Sequence, residues 1–69
     1  KLHPNPTQEF VTITPMYEGY SGGVLRDIQG KIIMEITQNQ PTFSMIDFTA
    51  GIYLFQDIKT GQTYKISKL

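Results

Sequence analysis

Apolar and polar residues alternate along short stretches of this chain, and clusters of Gly, Pro, Asn and Asp separate the stretches. A period of two is the pattern of a strand with one buried face, and such clusters mark turns. The first run, Phe10-Val11-Thr12-Ile13-Thr14, places Val11 and Ile13 on one face and stops at Pro15, which cannot donate to a central ladder. The second is Gly23-Val24-Leu25-Arg26-Asp27, with Gly22 and Gly23 reading as a bend or bulge. Gln29-Gly30 then reads as a tight hairpin turn into a third run, Lys31 to Thr37, with Ile32, Met34 and Ile36 facing one way. After the break at Asn39-Gln40-Pro41, Phe43, Met45 and Phe48 form an irregular fourth segment, and Asp47 to Gly51 reads as a corner. The fifth run, Ile52 to Asp57, is almost continuously apolar, as expected of a central strand covered on most of both faces. Beyond Lys59-Thr60-Gly61, the run from Thr63 to Leu69 alternates, with Tyr64 and Ile66 inward and Lys65 and Ser67 outward. Residues 1–8 read as a lead-in or a short first strand. No stretch carries the 3.6-residue period of a helix.

Short strands with turn signals about every 8–12 residues predict an all-β fold, a small antiparallel sandwich of about six to seven strands. One detail points to an immunoglobulin-like version. Tyr53 opens the most apolar strand and Phe55 follows two residues later on the same face. That is the spacing of a tyrosine corner, in which the phenol bonds back to the backbone a few residues upstream. The alternative for Tyr53 is an ordinary core aromatic.

Composition narrows the functional classes. The 69 residues fit one domain, so residues 1–69 are read as a single unit. A core of this size supplies only roughly 3–5 kcal/mol, and Tyr53, Phe55, Phe43 and Ile32 are expected to hold most of it. There is no Cys and only one His, which excludes disulfides, a thiolate zinc site and an all-imidazole metal site, and no cofactor is expected. Six basic residues balance six acidic ones, which argues against a nucleic-acid partner. No apolar run approaches the length of a transmembrane span, and no charged-then-apolar leader opens the sequence.

No catalytic constellation emerges. His3 has no acidic or nucleophilic neighbour in sequence and is read as a solvent-exposed residue. Asp27, Glu35, Asp47 and Asp57 sit mostly at strand ends and turns, where carboxylates bond turn amides. Asn5-Pro6-Thr7 imitates a glycosylation acceptor but has Pro in the disqualifying position. Gly22-Gly23 lacks the helix and Lys of a phosphate loop. An enzyme is therefore not expected. Lys65 and Lys68 flank Ile66-Ser67 near the end of the sequence, and on physical grounds alone they protect a strand edge.

Four landmarks stand in order: His3-Pro4-Asn5-Pro6-Thr7; Leu25-Arg26-Asp27-Ile28-Gln29-Gly30-Lys31-Ile32-Ile33; Phe48-Thr49-Ala50-Gly51-Ile52-Tyr53-Leu54; and Lys65-Ile66-Ser67-Lys68-Leu69. Together they resemble the type A C-terminal sorting domain of proteins exported by the type IX secretion system of Bacteroidetes, from Pro4 to Leu69. Pro4, Asn5 and Pro6 match that family's opening motif, with His3 in its aromatic position. Asp27, Gly30 and Lys31 match its middle hairpin, where Arg26 replaces the usual Tyr. Phe48, Gly51 and Tyr53 match its corner, with Thr49 where Pro is common. Lys65, Ile66 and Lys68 match its terminal basic-apolar motif, and Gly23 stands where an apolar strand residue is usual.

The resemblance implies a seven-stranded immunoglobulin-like sandwich that acts as an address for an upstream cargo. The implied partners are the outer-membrane secretion machinery and a cysteine-peptidase-type sortase, which removes the domain before the cargo is attached to the cell surface or released. Gly51, Tyr53, Lys65, Ile66, Lys68 and Leu69 are the residues expected to carry or hold the recognised surface. Dimerisation by strand exchange is compatible with exposed edge strands. The second reading is an immunoglobulin-like or fibronectin-like binding module on a secreted protein, against which stands the absence of Trp.

Overall fold

A computed structural model describes residues 2–3, 6–13 and 18–69. Thr14 and Pro15, the expected end of the first run, and Pro4 and Asn5 of the opening motif lie outside the described residues. The described residues form seven strands, β1 (Leu2–His3), β2 (Phe10–Ile13), β3 (Gly23–Asp27), β4 (Ile32–Ile36), β5 (Thr42–Ser44), β6 (Gly51–Asp57) and β7 (Thr63–Lys68). They form two antiparallel sheets, one in the order β1-β2-β5 and the other β4-β3-β6-β7. The architecture is the expected small all-β sandwich. The lead-in does contain a short strand, since Leu2 and His3 pair with Ile13 and Thr12.

Alternation sends one side chain in two into the space between the sheets. Val11, Ile13 and Phe43 come from the three-stranded sheet, and Leu25, Ile36, Tyr53, Phe55 and Ile66 from the four-stranded one. Met45 and Tyr20 fill in from the connections. The Phe43 and Phe55 rings stack across the interface, 6.4 Å apart at 19°. Tyr64 packs against this core with its ring tilted 38° to that of Phe55.

β6 is central, as expected, with β3 on one side and β7 on the other. Its inward residues Tyr53, Phe55 and Asp57 are buried, whereas Ile52, Leu54 and Gln56 on the other face are only half covered. The glycine pair before β3 is explained by close approach. Gly22 has φ +91°, and a Cβ there would lie 2.3 Å from the Ile36 carbonyl oxygen. A Cβ on Gly23 would lie 2.3 Å from the Gln56 carbonyl oxygen and 2.6 Å from the Phe55 ring. The sheet therefore excludes the apolar residue that the family usually has at Gly23.

One expectation fails. Ile32 is not a core residue: it is 48% exposed. Leu25 pairs with Met34 but Arg26 pairs with Ile32, so Ile33 is an extra residue in β4. The irregularity thus lies opposite Leu25 and Arg26 rather than in the glycine pair. An extra residue reverses the phase of a strand. Ile32 shares the solvent side with Arg26, while Ile33, Met34 and Ile36 pack against or into the core. β4 is also shorter than the expected Lys31–Thr37.

Candidate recognition site at one end of the sandwich

The tyrosine corner is formed. The Tyr53 hydroxyl donates to the Thr49 carbonyl oxygen at 2.6 Å and lies 3.3 Å from the Thr49 hydroxyl. The Tyr53 ring is buried against Phe48, with centroids 5.6 Å apart. Thr49, standing where Pro is common in the family, thus supplies the acceptor through its backbone. Gly51 enters β6 at φ +149° with no heavy atom near the position of a Cβ, so the demand on it comes from the backbone alone.

The middle motif is a compact loop organised by Asp27. Its carboxylate accepts from the backbone N–H of Gln29 and of Lys31, both at 2.9 Å. Its own N–H donates to the Lys31 carbonyl oxygen at 2.9 Å, and its carbonyl oxygen accepts from the Gly30 N–H at 2.9 Å. Gly30 has φ +93°, the conformation expected from its turn position. Arg26, in place of the usual Tyr, donates through Nε to the Gln56 side chain at 3.2 Å and through Nη1 to the Gly30 carbonyl oxygen at 2.9 Å. The departure from the family pattern therefore still joins this turn to β6.

The motifs converge through strand register. Asp27 pairs with Tyr53, which pairs with Ile66, in one row across β3, β6 and β7. Gly51 pairs with Lys68 in the next row but one. The hairpin turn, the corner and the terminal motif, separated in sequence, thus occupy the same end of the four-stranded sheet. Ile66 is fully buried and anchors β7; Lys65 and Leu69 are exposed and Lys68 is half-buried. The Lys68 ammonium donates to the Leu69 carbonyl oxygen at 3.0 Å.

Two residues escaped the sequence reading. Thr7 is almost completely buried and pairs in parallel with Lys68. Its N–H donates to the Ser67 carbonyl oxygen and its carbonyl oxygen accepts from the Leu69 N–H, both at 2.8 Å. Its hydroxyl donates to the Phe10 carbonyl oxygen at 2.6 Å. The outer edge of β7, expected to lie open, is therefore partly covered by the opening motif itself. Asp57 was expected to bond turn amides, and does so through the N–H of Lys59 at 2.8 Å and of Thr60 at 3.3 Å. Its deep burial was not foreseen. Burial, and next the neighbouring Asp57 carboxylate, push the Tyr20 phenol above its ordinary pKa of 10.0.

His3 is exposed on β1, and among the described residues no group of His, Asp and Glu is placed to hold a metal ion. No helix among them is long and apolar enough to cross a membrane. The described residues form a small all-β module whose three later motifs gather at one end of the four-stranded sheet. A family model described as the secretion system C-terminal sorting domain matches residues 1–69, and the chain belongs to that family. Its members are sorting signals of the type IX secretion system and not an enzyme family, which implies contact with the secretion machinery and export of the attached cargo across the outer membrane. No curated protein and no solved structure matches the chain.

Proposed function

We propose that residues 1–69 act as one sorting domain, and that the end of the sandwich carrying Tyr53, Gly51 and the 65–69 segment is what the secretion machinery reads. The observation that supports this reading is the convergence of Asp27, Tyr53 and Ile66 in a single row, with Gly51 beside Lys68. In this reading the residues divide by role. Asp27, Gly30, Lys31, Phe48, Gly51, Tyr53 and Ile66 hold the surface in shape, and Lys65, Lys68 and Leu69 present charge and an apolar side chain on it. In sequence, Pro4, Asn5 and Pro6 stand on the cargo side of Thr7. After translocation, a cysteine-peptidase-type sortase removes the domain and the cargo is attached at the cell surface or released. The domain itself carries out no chemistry.

The test is a reporter protein fused ahead of the chain in a bacterium that has the secretion machinery. Deletion of Lys65 to Leu69 is expected to leave the reporter in the periplasm. Export at the parental level from a deletion variant would refute the assignment of recognition to this segment.

A further inference from the structure

Thr7 makes a contact that does not belong to either sheet's strand order. It forms an isolated parallel bridge with Lys68 on the outer edge of β7. Along a strand, the N–H and carbonyl groups of successive residues point alternately to its two edges. Ser67 and Leu69 bond to Thr7, so their backbone groups point to the outer edge, and those of Ile66 and Lys68 are directed to β6. The outer edge at Ser67 and Leu69 is therefore a strand-pairing edge, occupied from within the chain by one residue and two backbone hydrogen bonds.

We propose that Thr7 is a clasp that competes with a partner's extended strand for the outer edge of β7. A receptor segment adds to the sheet beside Ser67 and Leu69 only after Thr7 has swung away. The partner's chemistry follows from the edge: an extended polypeptide offering one N–H and one carbonyl group at the spacing Thr7 now supplies. The Thr7 hydroxyl bond to the Phe10 carbonyl holds the clasp shut from its own side. This inference rests on the recognition role assigned above to the 65–69 segment, and it adds the contact that gates it.

Amide hydrogen exchange on the folded chain tests the clasp without reference to export. Local openings expose their own amides ahead of global unfolding. The Leu69 and Thr7 amides are expected to exchange about tenfold or more faster than the Ile66 amide, which faces β6. Equal rates would mean that the bridge opens only when the domain unfolds, and would overturn the proposal. Thr7→Pro removes the donor to Ser67 and is expected to speed Leu69 exchange further while export continues.

The chain has no Cys, so the pair Thr7→Cys with Lys68→Cys gives a lock whose closure is reversible. A melting temperature at or above the parent's in the oxidised pair verifies that it folds. In the fusion, the oxidised pair is expected to export about tenfold or more less than the same pair kept reduced, a comparison in which loss of the Lys68 charge cancels. Equal export by the locked and reduced pairs, alongside a secretion-dead deletion of Lys65 to Leu69, would overturn the clasp and leave the recognition reading standing. Parental export by the deletion would instead overturn the recognition reading, while the exchange rates still decide whether the clasp opens.

Discussion

Tyr53→Phe isolates the tyrosine corner from the packing around it. The ring remains against Phe48 at 5.6 Å, and only the hydroxyl's bonds to Thr49 are lost, that of 2.6 Å to its carbonyl and the longer one of 3.3 Å to its hydroxyl. A net hydrogen bond contributes about 0.5–1.5 kcal/mol, and leaving a partly buried acceptor unsatisfied raises the loss to about 1–2 kcal/mol. Against a total of roughly 3–5 kcal/mol for a core of this size, that is a large fraction. It lowers the ratio of folded to unfolded chain about 5- to 30-fold. In a domain of this length it lowers Tm by about 5–12 °C. Circular dichroism on heating, paired with urea denaturation, reads both. The midpoint should fall while the slope m stays constant, because the fold buries the same surface. A variant that melts within about 1 °C of the parent would show that the corner bond contributes nothing net, and that Tyr53 acts only through its ring.

Three further outcomes follow. Gly23→Ala forces a Cβ to within 2.3 Å of the Gln56 carbonyl oxygen and should cost about 3 kcal/mol or more, read as a loss of most folded signal at room temperature. Ile36→Ala should cost about 2–5 kcal/mol and Ile32→Ser within about 0.5 kcal/mol of nothing, measured as urea midpoints; equal effects would contradict the phase reversal at Ile33. Because the folded-state pKa of Tyr20 is raised, the unfolded chain loses that proton first, so the Tyr20 contribution to stability should be level below pH 10.0 and fall as pH rises above it. Tyr20→Phe should shallow that decline in pH-dependent melting, and an unchanged slope would refute the assignment to Tyr20.

Where the hydrophobic pattern had one consistent phase, the strands were legible. Val11 and Ile13, Tyr53 and Phe55, and Ile66 all point where alternation places them, because each run offers only one apolar face or is central enough to fill both. The stretch from Lys31 to Ile36 has apolar residues in both phases, Ile32, Met34 and Ile36 in one and Ile33 in the other. Local pattern cannot choose between those phases; pairing with β3 decides, and the extra residue at Ile33 is the result. The corner was readable because Gly51, Tyr53 and Phe55 carry its backbone and spacing requirements in one short segment. Thr7 was not, since its bridge to Lys68 spans almost the whole chain and a polar residue among prolines carries no burial signal. The same holds for the convergence of Asp27, Tyr53 and Ile66, which exists only through register.

The stacked pair Phe43 and Phe55 joins the two sheets two residues beyond the corner tyrosine, a place where antibody domains carry one half of a covalent inter-sheet link. Here the join is dispersion and ring contact alone. It requires no oxidant and no isomerase, and no thiol in either state can undo it. Folding of residues 1–69 therefore includes no thiol–disulfide step, whatever the redox poise around it.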